Sequence, residues 1–483
     1  MKKQLLITTL LLATIFCVKA NNLKIENLTF DQAAKTLSFD ISWENSWNIT
    51  ENYHDAVWVF GKYRGSNSQQ WKPIVFNGAS ITGSGLAFDV KEIGFITKSG
   101  TFSEEQKAIP ATTITISNLE VDGLNPSIKI FGTEMVYVPE GAFFAGDGAS
   151  LTHEFRQLES FDPILVDAGT TELYESSLDS TVSVRSIAEG FPTGFRSFYC
   201  MKYEITQGQI VDFANALTST QQPILFRDFE SLAKYPLSNS ETVRDRNGIA
   251  IIEDNRENGK SSVFGMDLNN NNIYDEPDDG ASIACNYLNE GLVLAYLDWS
   301  GLRPMTELEY EKACRGTDRP VPLESAAGFP ISRPTSIGSI DQGGSESEVN
   351  LMLSLNYATQ LGPLRVGFSS TDDSDRISSG NSFYGLTNMS DNVTEMVVEL
   401  TLDSGVKYDI HGDGVLSVNA NSENRTLSNE EAWETGPTKR YYEKGGSFGS
   451  IFDPAFVSVS SNQLSGWNVN LSQLGGRGVL SAE

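Results

Sequence analysis

The residue composition and the spacing of apolar runs change once along the sequence, near residue 134. This change limits the possible folds more than any other feature. Before it, short runs rich in β-branched and aromatic residues alternate with Asn, Gly and Asp, a pattern typical of strands joined by turns. The seven runs are Leu23 to Phe30, Thr36 to Trp43, Ala56 to Arg64, Trp71 to Phe76, Leu86 to Thr97, Thr112 to Leu119 and Ser127 to Phe131. They predict an all-β sandwich of the immunoglobulin or fibronectin kind over residues 21–132.

Four of the seven tryptophans fall in this region, at Trp43, Trp47, Trp58 and Trp71. We expect these side chains to fill the core of the sandwich. Exposed indoles would instead be able to stack on sugar rings.

Residues 133–483 are long, irregular stretches rich in Gly, Ser and Asp, interrupted by three helical patterns. These patterns are Gln207 to Leu217, Ile283 to Trp299, and Glu307 to Arg315, with Thr306 as an N-cap before the third. The remainder is typical of loops and short strands. This part of the chain is therefore predicted to be an α+β domain with little regular secondary structure.

The first twenty residues have the composition of an export signal. Lys2 and Lys3 precede an apolar stretch from Leu5 to Val18, and Ala20 ends the segment with a small residue. We predict a cleaved signal peptide over residues 1–20 and a periplasmic, cell-surface or extracellular protein. No other run approaches the roughly 18–20 apolar residues of a membrane span, so no transmembrane segment is expected.

The acidic surface excludes one class of partner. Removing the predicted signal takes three of the 35 basic residues and leaves 32 against 63 acidic ones, a net charge of −31. Such a chain repels nucleic acid backbones and favours cations.

Three cysteines remain after removal of the predicted signal, Cys200, Cys285 and Cys314. This odd number permits at most one intramolecular disulfide and leaves its pairing open.

A run of oxygen-bearing side chains between residues 267 and 278 has the spacing of a calcium loop. The positions that would supply ligands are Asp267, Asn269, Asn271, Ile273 through its carbonyl, Asp275 and Asp278. Asn272 replaces the usual glycine and tolerates the left-handed turn. Glu276 and Asp279 could contribute, and the alternative is a solvated acidic loop. A second stretch, Asp409 to Asp413, favours an ordinary turn over a cation site.

Five blocks, in order, resemble the formylglycine-generating enzyme family, also called the sulfatase-modifying factor domain. The blocks are Met135 to Gly141, Phe198 to Thr206, Leu302 to Gly316, Phe383 to Glu395 and Lys444 to Phe448, followed by Gly475-Gly-Arg477 where the family usually has Gly-Phe-Arg. The resemblance implies a C-type-lectin-like fold, often held by calcium. Relative to this pattern the chain carries insertions near 151–190, 220–282 and 318–380.

The resemblance also implies site residues. Asn392 and Glu395 match ligands of the family's calcium site, although Thr394 and Met396 replace its flanking tryptophans. Family enzymes oxidise a substrate cysteine with two copper-holding cysteines that follow the Gly-Gly-Ser block. Here the matching positions are Ser450 and Ala455, and no cysteine follows Cys314. Because soft thiolates select Cu(I), copper is not expected.

These observations predict an exported, calcium-stabilised and non-catalytic relative of the family, with a binding or structural role at the cell surface and a protein or glycan partner. Two alternatives stay open. One is formylglycine-generating or other oxidase activity on a protein substrate. The other is a subunit of a larger surface assembly that pairs through edge strands of the sandwich.

Overall fold

The computed structural model describes residues 22–482 except 67, 105–106, 124, 150–153, 177–181, 226–232, 329–361, 371–374, 401–408, 419–426, 431–432, 434–440, 450–456, 458–462 and 465–470. The predicted signal peptide lies outside the described residues, as does most of the insertion expected at 318–380. Within the described ranges, no helix combines the length and the apolar character needed to cross a bilayer.

The N-terminal region folds into two antiparallel sheets that face each other. Its strands are β1 (Lys24–Asp31), β2 (Thr36–Glu44), β3 (Asn48–Thr50), β4 (Tyr53–Arg64), β5 (Lys72–Pro73), β6 (Ser80–Gly83), β7 (Leu86–Val90), β8 (Gly94–Ser99), β9 (Ala108–Ser117) and β10 (Ser127–Val138). One sheet has the order β1-β2-β9-β6. The other contains β7-β8-β4-β10, with β3 and β5 paired to β4.

Strand β2 shows how the sequence builds the first core. Its alternate residues Leu37, Phe39, Ile41 and Trp43 are fully buried, and the residues between them are half-buried. This period of two places one apolar face of the strand on the opposite sheet. Together with residues such as Val57, these side chains form the hydrophobic core between the two sheets.

Strand β4 is buried on both faces and therefore joins two cores. Val57 and Val59 point into the core between the sheets, whereas Trp58 and Phe60 point the other way into a second, larger core. The indole Nε1 of Trp58 donates to the carbonyl oxygen of Ser300, at 2.8 Å. The second sheet is thus a middle layer between the N-terminal sheet and the C-terminal region.

The remaining elements belong to the C-terminal region. They are β11 (Phe143–Ala145), β12 (Ile164–Val166), β13 (Glu172–Ser176), β14 (Val182–Ser186), β15 (Phe198–Met201), α1 (Gln207–Ala214), β16 (Ile249–Glu253), β17 (Val263–Met266), α2 (Glu290–Ser300), β18 (Arg303–Pro304), α3 (Glu307–Arg315), α4 (Arg376–Ser379), β19 (Thr394–Val398), β20 (Tyr441–Lys444), β21 (Gln463–Leu464), β22 (Leu474–Gly475) and β23 (Gly478–Ser481), with short 3₁₀ helices at Gln222–Leu225 and Arg256–Asn258.

One sheet passes through both regions. Its order is β18-β23-β15-β10-β4-β8-β7, so β10 pairs with β4 along its length and with β15 through its last four residues. The domain boundary predicted between residues 132 and 133 falls inside β10. A second sheet of the C-terminal region has the order β21-β20-β19-β22.

Polar caps fix where the main helices begin. Thr206 and Thr306 form capping boxes with Gln209 and Glu309 at the starts of α1 and α3. Asn289 accepts from the Leu292 amide and starts α2. Helix α2 is buried along its whole length. This explains why its own apolar side chains occupy all sides of the helix rather than one face.

Candidate metal-binding sites and the glycine block

The loop predicted to bind calcium follows β17 and is folded by its own side chains. The Asp267 carboxylate is fully buried and accepts from the Asn271 amide at 3.0 Å. The side-chain oxygen of Asn269 accepts from the same amide at 2.9 Å, and that of Asn271 accepts from the Ile273 amide at 2.6 Å. Asn270, Asn272 and Asp275 adopt the left-handed conformation that lets the loop coil tightly.

Lys234 reaches into this loop from a preceding segment. Its ammonium group donates to the carboxylate of Asp267 and to the side-chain oxygens of Asn270 and Asn272, at 3.0 and 2.9 Å for the two amides. The buried Asp267 is therefore neutralised by an ammonium ion. Nothing in the spacing of residues 267–278 indicates this partner, which lies 33 positions upstream of Asp267.

The predicted ligands do not all converge. The Asp275 carboxylate turns back to β17 and accepts from the Met266 amide at 2.8 Å, and Ile273 is 59% exposed. Asn269 and Asn271 direct their amide nitrogens at Glu276, at 3.5 and 2.7 Å. The roles of Asp267, Asn269, Asn271, Ile273, Asp275 and Asp278 as calcium ligands thus remain predictions.

A different set of oxygens comes together at the end of the loop. One carboxylate oxygen each from Glu276, Asp278 and Asp279 lies within 4.8 Å of the others. Asp279 is fully buried; its Oδ2 accepts from the Glu276 amide at 2.9 Å, and its Oδ1 has no hydrogen-bond partner in the described part of the chain. Burial raises the pKa of this carboxyl above its usual range. Three neighbouring carboxylates, one of which has an unpaired buried oxygen, provide the hard oxygen ligands that Ca²⁺ prefers. In the sequence, this group of oxygens is indicated by three closely spaced acids, Glu276, Asp278 and Asp279.

Asn392 and Glu395 lie in a fully buried network around Arg477. The Arg477 Nε donates to Oε1 of Glu395 at 2.8 Å, and Nη2 of the same guanidinium lies 2.7 Å from that oxygen as an ion pair. The side-chain oxygen of Asn392 accepts from the Leu364 amide at 2.7 Å, and its nitrogen donates to Glu204 at 2.6 Å. The second oxygen of Glu395, Oε2, has no partner among described residues. Both side chains thus already have protein partners, and their calcium role stays a prediction.

The charged groups of this network are all buried. Burial raises the pKa of Glu204 well above its usual range, with the nearby Arg477 acting in the opposite direction. Burial likewise raises the pKa of Glu395. Two carboxyls thus share one guanidinium. Arg477 also donates to the carbonyl oxygens of Met201 and Thr387, at 2.6 and 2.8 Å.

Similar buried contacts link the other sequence blocks. The Lys444 ammonium pairs with Glu311 at 3.1 Å, and both side chains are fully buried. Glu311 also accepts from the Gly146 amide at 2.8 Å. The Tyr310 hydroxyl donates to the Met389 carbonyl oxygen. The block residues thus serve as cross-links of the C-terminal core.

The glycine block after β20 is tightly packed. Gly445 has a φ of 74°, and an added Cβ would lie 2.7 Å from the Met389 carbonyl oxygen, so a side chain is excluded there. Ser447 is buried and donates to the Gln473 side-chain oxygen at 2.8 Å. Ser450 and Ala455, the positions expected to replace the catalytic cysteines, lie outside the described residues.

The three cysteines of the described part are buried and form no disulfide bond. Cys200, Cys285 and Cys314 each have 0% exposure, and all three thiols are free. Burial raises the pKa of each thiol well above its usual range. Because the thiolate is the reactive and metal-binding form, these side chains are inert packing residues in this fold.

Comparison with known proteins places the chain in a family. The sequence model of the sulfatase-modifying factor enzyme 1-like domain matches residues 132–480. Together with a mostly β architecture and the cross-linked blocks, this match defines a β-rich protein with a C-terminal domain of that kind. The chain belongs to the sulfatase-modifying factor family.

The solved structures that match this chain are distant from it in sequence, and the curated sequences give no match. Treponema denticola variable protein 1 is 14% identical, with 73% of this chain and 96% of that chain covered and a TM-score of 0.26. The group B streptococcus pilus 2b backbone protein is 10% identical, with 38% and 86% covered and a TM-score of 0.12. No curated protein matches the chain.

Proposed function

We propose that this chain is an exported, calcium-stabilised and non-catalytic member of the sulfatase-modifying factor family that binds a glycan at the cell envelope. On this proposal the N-terminal region is an immunoglobulin-like sandwich and the C-terminal region is a C-type-lectin-like domain. The lack of any cysteine after Cys314 supports the loss of oxidase chemistry, since hydroxyl and methyl side chains cannot hold Cu(I). The predicted export signal supports the location.

A cavity of about 400 Å³ between the two regions carries the binding part of the proposal. Its aromatic lining consists of Trp47 and Tyr53 from the N-terminal region and Tyr203 from the C-terminal region, and its polar lining includes Asn381 and Thr387. Aromatic rings offer flat apolar faces to the C–H groups of a sugar, while amides and hydroxyls hydrogen-bond its hydroxyls.

Trp47 is held in place as a rigid platform. The Lys202 ammonium lies 4.6 Å from the centre of its ring and is itself fixed by Asp55 and Glu134, at 3.3 and 3.1 Å. The indole Nε1 has no hydrogen-bond partner in the described ranges. This nitrogen is buried, so the ring face and not the N–H is the surface offered to a ligand. Because Lys202 holds the ring in place, little conformational entropy is lost when a ligand stacks on it.

Tyr53→Ala tests the cavity, because Tyr53 is 37% exposed and its removal spares the buried network. The wild-type protein is screened on a glycan array, and the affinity of a bound glycan is then measured by calorimetry. Loss of one stacking ring should weaken binding about two- to tenfold. Phe161→Ala, which removes an exposed aromatic outside the cavity lining, should bind as the wild type does.

Three outcomes would overturn the binding proposal. One is an array with no bound glycan. The second is equal binding by the Tyr53→Ala and wild-type proteins, and the third is capture of a protein partner by the cavity in place of any glycan.

The calcium part of the proposal rests on the convergence of Glu276, Asp278 and Asp279. Binding of Ca²⁺ to the folded state alone raises stability by mass action. Chelator should lower the melting temperature, and Asp278→Asn with Asp279→Asn should reduce that difference. Asp254→Asn, a matched control with an exposed carboxylate outside the loop, should leave the difference unchanged. Identical melting curves with calcium and with chelator would contradict the proposal.

A further inference from the structure

A second group of carboxylates lies where α2 meets the segment after residue 408. Asp298 comes from α2, while Asp413 and Glu430 come from loops far along the chain. One carboxylate oxygen of each lies within 4.8 Å of the others. Asp298 is fully buried, Glu430 is half-buried and Asp413 is exposed. One side of the group is therefore accessible to solvent, and the other side lies in the protein interior.

The buried member of this group has an unused oxygen. The Asp298 carboxylate accepts from the Asn429 amide, at 3.1 Å from Oδ2, and from the Ser428 side chain. Its Oδ1 has no hydrogen-bond partner in the part of the chain that the structure describes. An unsatisfied carboxylate oxygen at 0% exposure is costly unless a ligand completes it. This observation is independent of the clustering of the acids.

Two glycines allow the loop to approach Asp298 closely. A Cβ on Gly412 would collide with the backbone of Asp298, and the Gly414 amide donates to the Asp298 carbonyl oxygen at 3.1 Å. Gly414 has a φ of 77°, which a residue with a side chain rarely adopts. The loop is therefore shaped to bring Asp413 against the end of α2.

The formal charges around the site match a divalent cation. Lys62, buried in β4, donates to the Gly414 carbonyl oxygen at 2.8 Å and is attracted by Asp298 and Asp413. When all four groups are ionised, three carboxylates and one ammonium have a formal charge of −2. The donors are all oxygen atoms, which selects a hard cation. His411 is engaged elsewhere, because its Nε2 accepts from the Ser481 amide at 2.8 Å.

We propose that Asp298, Asp413 and Glu430 form a calcium site separate from the loop at residues 267–279. Bound calcium connects the loop that carries Asp413 to α2, next to the β4 residue Lys62. It thereby fastens a C-terminal segment to the sheet shared by both regions. An irregular three-carboxylate set open to solvent on one side suits Ca²⁺ better than Mg²⁺, which needs near-ideal octahedral geometry.

Calcium titration calorimetry on the whole mature protein tests this site. The starting protein carries Asp278→Asn and Asp279→Asn, so that the loop site does not contribute. It should still bind one calcium ion. Adding Asp413→Asn and Glu430→Gln, both at positions with solvent access, should weaken that binding at least about tenfold. Asp409→Asn removes one exposed charge from the same segment and should change the affinity less than about twofold.

Terbium luminescence provides a readout that a general loss of stability does not mimic. The backbone amide of Trp433 donates to the Glu430 carbonyl oxygen at 3.0 Å, and its indole Nε1 donates to the Ile410 carbonyl oxygen at 3.2 Å. Terbium bound at the site should therefore be sensitised by tryptophan excitation, and the signal should disappear in the Asp413→Asn, Glu430→Gln protein while its circular dichroism is retained. The proposal is overturned by any of three results: no calcium binding in the starting protein, equal affinity in the two cluster variants, or displacement of calcium by an equal concentration of magnesium.

Discussion

Replacing Arg477 by Met should be among the most damaging single changes in this protein. Arg477 is fully buried and donates to Glu395, Met201 and Thr387. Methionine fills a similar volume but leaves the Glu395 carboxylate buried without its partner. Breaking a buried pair in this way costs about 3–5 kcal/mol. An exposed pair gives the matched control: Arg319→Met, whose partner Asp162 lies 3.1 Å away at the surface, should cost less than about 1 kcal/mol.

The same variant makes a pH prediction with a definite sign. Burial already raises the pKa of Glu395, with Arg477 acting in the opposite direction. Without Arg477 the folded state should hold a proton that the unfolded chain releases. Stability of the variant should therefore fall as pH rises above the usual carboxyl range, and its deficit should be smaller at pH 5 than at pH 8.

Guanidinium unfolding followed by tryptophan fluorescence measures both effects. A double variant, Arg477→Met with Glu395→Gln, removes both charges and should lose about 1–3 kcal/mol less than the sum of the two single variants. A loss below about 1 kcal/mol for Arg477→Met, or strict additivity in the double variant, would refute the assigned role of this ion pair.

Three further predictions concern other buried groups. Burial raises the pKa of Glu290 to about 8 from a usual value near 4.5, so this group lowers stability as pH rises between those values; Glu290→Gln should raise the melting temperature at pH 8 and leave it nearly unchanged at pH 4. Trp58→Phe removes the hydrogen bond to Ser300 and should cost about 1–3 kcal/mol in chemical unfolding, with no loss as the contradicting result. The native protein should resist thiol labelling at Cys200, Cys285 and Cys314 until denaturant is added, and rapid labelling of any of them would contradict their assignment as inert core thiols.

Local patterns predicted many of the elements. Helix α3 spans the predicted residues 307–315, and β2 (Thr36–Glu44) covers the predicted run from Thr36 to Trp43. The helix predicted from Ile283 begins only at Glu290, because Asn289 caps it and the apolar residues before it are a buried loop. The run from Leu86 to Thr97 splits into β7 and β8, since the Lys91 amide bonds to the Gly94 carbonyl oxygen in a turn.

Long-range packing could not be predicted in the same way. Trp43 and Trp58 are core residues as expected, but Trp47 and Trp71 are only half-buried. A continuous apolar strand such as β4 does not reveal that its two faces enter different cores. The contact of Lys234 with Asp267 and the grouping of Asp298 with Asp413 join distant parts of the chain, which no local spacing encodes.

An assay for formylglycine formation is the decisive test of the proposal that this family member is non-catalytic. The purified protein is incubated with copper and a peptide carrying the sulfatase motif, beside a competent family enzyme as the positive control, and the peptide is analysed by mass spectrometry. With serine and alanine at positions 450 and 455, we predict an unmodified cysteine in the peptide. Copper-dependent conversion of that cysteine to the aldehyde would contradict the proposal that this chain has lost the family's oxidase chemistry.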